Sequence, residues 1–188
     1  PTLIDLTHAL VTELQHLMHS HPVGAYSSHL ETLQIELDQT QRYLDHIHLQ
    51  QSDYKLWGRL TSMIHALDHL QRLNERCEEE ADRAEASKKF PTLSNASQRL
   101  SEDLASLDQH IHDGKWTQAV NQSRDLHHFI QQDAENYRQT MVQRMGRGEI
   151  DANDCWDALE AIRWMERVSK HLYRISYHLQ KMLLRTGK

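Results

Sequence analysis

Fifteen histidines in 188 residues are the first feature of this chain that could do chemistry. If their surroundings are helical, His65 with His69, His16 with His19, and His171 with His178 each share a helix face. Imidazoles so spaced could share a zinc or nickel ion. No cysteine or acid cluster completes a four-ligand set beside them. The sequence therefore favours scattered polar positions, with a His65/His69 metal site as the weaker alternative. Acid and base alternate at i and i+4 in Asp68 with Arg72 and in Glu166 with Lys170. Such pairs contribute ~0.3–0.5 kcal/mol each when exposed. Asp133 and Glu135 read as a solvated helix face rather than an acid–base dyad. Cys77 and Cys155 fall on apolar stripes, where a thiol packs as a small apolar group. No Gly-rich phosphate loop, H-E-x-x-H run or nucleophile elbow occurs, so neither an enzyme nor a cofactor is expected.

The elements that position these residues are helices. From Asp151 to Leu184, apolar residues fall at Leu159, Ile162, Met165, Val168, Leu172, Ile175, Leu179 and Met182, in steps of three and four that make one continuous stripe. Asp151 is placed to cap the free N–H groups, with Asp154 in the first turn and Ile150 able to staple onto Cys155. From Glu160 onward seven Lys or Arg stand against two Glu. Arg163, Arg167, Lys170, Arg174 and Lys181 form the candidate docking face.

Totals agree with an all-helical chain. Six Gly and three Pro are too few for an all-β protein, and a mean hydropathy of −0.75 suits bundles with wide polar faces. A net charge of −6 argues against nucleic acid as partner, since phosphate backbones are held by clustered Lys and Arg. Two cysteines are too few for a disulfide framework, which fits a reducing, cytoplasmic compartment. No apolar run approaches the ~20 residues of a membrane span. The chain begins at Pro1 without Met, which fits either Met removal or a domain cut from a longer protein.

Taken in order, a first helix over Thr2–His19 ends at His21-Pro22-Val23-Gly24, and a second runs from Tyr26 to about Ile47. A third, from about Asp53 to Ser87, carries Leu56, Leu60, Met63, Leu67, Leu70, Asn74, Cys77, Ala81 and Ala84 near a heptad spacing. Its acidic end, from Glu75, thins to alanine and reads as a solvated extension beyond the core. Lys88-Lys89-Phe90-Pro91 breaks the chain. A fourth helix follows up to Asp113-Gly114, a fifth from about Lys115 to Met145, and Gly146-Arg147-Gly148 turns into the last. Trp57, Trp116 and Trp156 read as anchors at bundle ends, whereas Trp164, off the main stripe, is the aromatic expected at an interface.

The two halves share one plan. Leu10, Leu14 and Leu17 align with Leu100, Leu104 and Leu107, while Ile64, Leu67, Asp68 and Leu70 align with Ile162, Met165, Glu166 and Val168. The expectation is two three-helix bundles in tandem, residues 1–89 and 90–188.

The run LEAIRWMERVSKHLYRISYHL resembles the signature helix of PhoU-like domains. Met165, Glu166, Arg167, Val168, Ser169, Lys170, His171 and Leu172 fall on its core positions, and Arg174, Ile175 and Ser176 follow. The resemblance implies the PhoU-like fold of tandem three-helix bundles. It also implies an acidic metal motif, but Arg72 and Lys170 stand where the second acid belongs, so metal binding is not carried over. Most similar is the cytoplasmic C-terminal domain of sodium/phosphate cotransporter family proteins. This resemblance rests on the degenerate acidic motifs, on Tyr137-Arg138-Gln139 before the glycine turn, and on the start without Met. The implied role is a non-catalytic cytosolic regulatory domain tethered to the inner membrane through a transporter part of the same chain. The implied partner is that membrane-embedded phosphate transporter or its regulators, and a homodimer is a further arrangement. The alternatives are a free-standing PhoU-type regulator of phosphate uptake and a histidine-rich metal-binding helical protein.

Overall fold

The computed structural model describes residues 1–19, 27–50, 53–78 and 81–184. All regular structure among them is helical: α1 (Leu3–His19), α2 (Ser27–Asp45), α3 (Tyr54–Glu78), α4 (Ala81–Lys89), a 3-10 turn (Pro91–Leu93), α5 (Ser94–His112), α6 (Trp116–Gly146) and α7 (Ala152–Leu184). The expected His21–Gly24 break, the Tyr26 start of the second helix and the 185–188 end of the second half lie outside the described residues.

Local chemistry explains the helix ends. At α1, Thr2 Oγ1 accepts from the Asp5 N–H while Asp5 Oδ2 accepts from the Thr2 N–H, so each residue caps the other. At α7, Asp151 Oδ1 accepts the Asp154 N–H at 2.8 Å, the cap read from the sequence, and Ile150 is half-buried against the core. The ends of α5 and α6 share one device. Gly114 (φ +66°) and Gly148 (φ +71°) adopt the left-handed conformation. The following N–H groups of Lys115 and Glu149 then reach back to the carbonyls of His110 and Arg144.

α7 is the organising element and packs most extensively on α6 and α3. Its meeting points with α3 are Trp164 with Arg76, His171 with His69 and His178 with His65, so the two helices run antiparallel. Gln180 with Thr117 and Glu166 with Arg138 give the same sense against α6. α1 and α5 are also antiparallel, joined by His8 with Asp108 (2.6 Å) and the Gln15 amide with the Leu104 carbonyl (3.1 Å). The apolar stripes merge into one core, with Leu10, Leu14, Leu37, Leu67, Leu70, Leu100, Leu104, Val168, Ile175 and Leu179 fully buried.

Several expectations are corrected. The acidic end of the expected third helix does not project as a solvated extension. Its described part, α4, packs on α7, α1 and α5 with Ala84 and Ser87 fully buried, and Arg83 and Lys89 reach Asp157 (3.7 Å) and Asp154 (2.6 Å) on α7. Small residues make a weak apolar stripe yet allow a close approach of helices. Trp164 is not an interface residue, being 1 % exposed. Its position lies off the stripe because α7 is covered from two sides, by α3 and by α6, which widens its buried arc. Trp156 and Trp57 are instead exposed, and Trp116 is half-buried. Ile64 and Ile162, aligned between the two halves, are 44 % exposed and buried respectively, a difference that bears on neither half's expected bounds.

Candidate basic groove and histidine cluster

Between its contacts with α3 and α6, α7 keeps one face to solvent. Arg163, Arg167, Lys170, Arg174 and Lys181 recur on it at steps of four, three, four and seven, a ridge ~27 Å long at 1.5 Å per residue. All are exposed except Arg167, which is half-buried. Arg163 pairs with Glu160 (2.7 Å). Arg174 and Lys181 lie against the rings of Tyr173 and Tyr177, at 5.7 and 5.2 Å from their centroids, and make no ion pair among the described residues.

A groove lies on each side of the ridge's first half, between Arg163 and His171. On the α3 side, about 440 Å³ is lined by His69, Arg72, Glu75, Arg76, Arg167, Lys170 and His171. On the α6 side, about 400 Å³ is lined by His127, Gln131, Arg138, Arg163, Glu166, Arg167 and Lys170. Arg167 and Lys170 belong to both. The candidate docking face is thus brought together, and helices other than α7 extend it. Arg72, Arg76 and Arg138 went unrecognised as part of it in the sequence, where only the i and i+4 recurrence of Arg72 with Arg76 hinted at a shared face.

The acid–base pairs read from the sequence fare differently. Asp68 accepts from Arg72 Nε at 3.1 Å, as expected, with both side chains about half exposed. Glu166 does not pair with Lys170. Its carboxylate takes Arg138 of α6, which also reaches Glu135 at 3.4 Å. Arg138 approaches from across the α6–α7 seam, where its guanidinium is partly shielded from water.

The histidines of α3 and α7 converge. His65 and His178 have ring centroids 4.9 Å apart, His69 and His171 5.4 Å, and His69 and His178 5.9 Å. The Nδ1 atoms of His69 and His171 are 3.3 Å apart, so one of them donates to the other. His178 Nδ1 is buried and has no hydrogen-bond partner among the described residues. Burial, then the neighbouring imidazoles and the cations Lys170, Arg72 and Arg76, pushes His171 down to about 4. Burial, then His65 and His69, does the same for His178. His69 and His127 are lowered too, chiefly by burial. His69, His171 and His178 are therefore neutral at pH 7, in a positive surround supplied by Arg72, Arg76, Lys170 and Arg174. Among the described residues no three His, Cys, Asp or Glu side chains form a set ready to hold a metal. His16 and His19 part company: His16 lies 3.9 Å from Glu13, whereas His19 Nδ1 donates to the Gln15 carbonyl.

Cys77 and Cys155 are buried and unpaired, and burial pushes the Cys77 thiol up, away from nucleophilic use. Glu135 is tied to Arg138 and Gln139. No helix among the described residues is long and apolar enough to cross a membrane. Compared with protein-family models, curated proteins and solved structures, the chain matches none.

Proposed function

We propose that this chain is a non-catalytic regulatory domain that docks an acidic partner surface along the exposed ridge of α7, in the role implied by its resemblance to the cytosolic PhoU-like domain of a sodium-dependent phosphate transporter. The observation that carries the docking reading is the ridge. Five cations line the one solvent-facing strip of the central helix, in a chain whose net charge is −6. Such local concentration of one sign steers association with the opposite sign and fixes its orientation. The tandem plan draws support from the packing, because α1 pairs antiparallel with α5 and α3 with α7, the helices that the register alignment makes equivalent. Coupling to phosphate transport rests on the resemblance of the α7 sequence alone.

The test is charge reversal in the host's own gene. Lys170→Glu with Arg174→Glu is expected to alter phosphate uptake and its response to external phosphate while the purified domain keeps its helical circular dichroism and melting temperature. Unchanged uptake at unchanged protein level would remove the role in phosphate transport. A transporter segment encoded upstream of Pro1 in the same reading frame would identify the partner as the same chain, and an initiator codon immediately before Pro1 would favour the free-standing regulator.

A further inference from the structure

The groove on the α3 side of the ridge has the composition of an oxyanion site. Two rows of cations face each other across it, Arg72 and Arg76 one turn apart on α3 and Arg167 and Lys170 on α7, with Glu75 the only carboxylate in the lining among the described residues. Arg72 is bound to Asp68, a half-exposed carboxylate that a more highly charged anion can replace, and Arg76 pairs with Glu75. Lys170 makes no ion pair among the described residues. Its natural acid one turn back, Glu166, is held by Arg138. The His69 and His171 rings also line it; neutral and bonded Nδ1 to Nδ1, they keep one Nε2–H between them to offer a ligand.

We propose that this groove binds a small molecule bearing linked phosphoryl groups, held by Arg72 and Arg76 from one wall and by Arg167 and Lys170 from the other. Arginine forks match phosphoryl oxygens two at a time, and lysine adds a point charge. Four cations in two rows are more than a single phosphoryl group engages, which favours a diphosphate or longer chain over orthophosphate. The volume of about 440 Å³ lies in the range of small-molecule sites, and the short walls suit a compact ligand better than an extended peptide. A metal cation is the poorer occupant. The same four cations oppose it, and among the described residues no three His, Cys, Asp or Glu side chains form a set to hold one. The site joins α3 to α7, so its ligand would tie the two halves together next to the docking ridge. The inference does not depend on which partner the ridge takes.

The experiment is calorimetric titration of the whole chain with inorganic pyrophosphate, orthophosphate and ATP at about 0.15 M salt, where exposed charges are screened beyond about 8 Å, with phosphatidylglycerol vesicles as a separate arm. Pyrophosphate or ATP is expected to bind one per chain, more tightly than orthophosphate. Arg72→Gln with Lys170→Gln is expected to weaken that binding about ten-fold or more, which is one step of 1.4 kcal/mol. Lys181→Gln, on the ridge but outside the groove, should leave it unchanged. Should the double variant unfold, Arg72→Lys alone serves, since it keeps the charge and removes the fork. No saturable pyrophosphate or ATP binding, equal loss in Lys181→Gln, or binding to vesicles alone would overturn the proposal. Failure of the titration with altered uptake in the charge-reversed strain would remove this site and leave the docking role standing.

Discussion

Glu166 is bonded to Arg138 across the α6–α7 seam and not to Lys170 on its own helix. The consequence is that Lys170 keeps its charge for solvent or a ligand, between two grooves that both include it. Replacing Arg138 with Gln should release Glu166 to the nearer lysine. Urea unfolding should show a loss of about 0.5–1 kcal/mol, the range for a partly exposed pair. The same variant should bind pyrophosphate more weakly although Arg138 lies outside the α3-side groove. Unchanged affinity would mean that Glu166 does not turn to Lys170.

Trp164 ties α7 to α3 by a hydrogen bond as well as by packing. Its indole Nε1 donates to the Arg76 carbonyl at 3.1 Å. Trp164→Phe keeps most of the apolar contact and loses this bond, so it should cost about 1 kcal/mol. Trp164→Ala adds the cavity and should cost about 3–5 kcal/mol. Chemical denaturation separates the two, and equal losses would show that the hydrogen bond is immaterial.

Acid should loosen the α3–α7 seam. His171 and His178 are held down to about 4 in the folded chain, against an ordinary value of 6.5 that the unfolded chain recovers. Well above pH 6.5 neither state is protonated at these rings and their contribution to stability is constant. As pH falls from 6.5 towards 4 the unfolded state takes up protons that the folded state refuses, so stability drops through that window. The groups facing the pair are His65, His69, Asp68, Arg72 and Arg76 from α3 and Lys170, Arg174 and Lys181 from α7, a net positive surround that opposes protonation. In chelator-containing buffer the melting temperature should decline between pH 6.5 and 4.5, less so in His171→Phe. A flat profile over that range would show the rings are not desolvated.

Aligned positions in the two halves should differ in their tolerance. Ile162→Ala empties a buried site and should cost about 2–5 kcal/mol, whereas Ile64→Ala, at a side chain 44 % exposed, should cost less than about 1 kcal/mol. Equal costs would restore equal roles to the two positions.

Helices with strong periodicity were legible from the chain itself. The expected Thr2–His19, Lys115–Met145 and Asp151–Leu184 differ from α1, α6 and α7 by no more than one residue at either end, because Thr2, Gly114, Gly148 and Asp151 carry explicit end signals. What escaped was tertiary. The stretch through Ala84 and Ser87 reads as solvated by hydropathy, yet small side chains are what admit α4 to the surface of α7. The pairs His65/His69 and His171/His178 were each visible, but that they face one another depends on the antiparallel register of α3 against α7, which no local pattern encodes. Glu166 was assigned the nearest base on its own helix, since the reach of Arg138 from α6 is likewise a matter of packing. The ridge on α7 was readable because it follows one helix's periodicity, and the grooves were not because each needs a second helix.

The four tryptophans occupy very different surroundings, and this makes the protein its own optical probe. Trp164 is 1 % exposed with its indole fixed to Arg76, a residue that also lines the α3-side groove, whereas Trp156 is 61 % and Trp57 44 % exposed. The short-wavelength edge of the emission spectrum therefore belongs largely to the α3–α7 seam, and the long-wavelength edge to side chains in water. A soluble quencher will suppress the second and spare the first. Any ligand that shifts Arg76 will colour the unquenched light, so occupancy at the groove can be followed without attaching a dye.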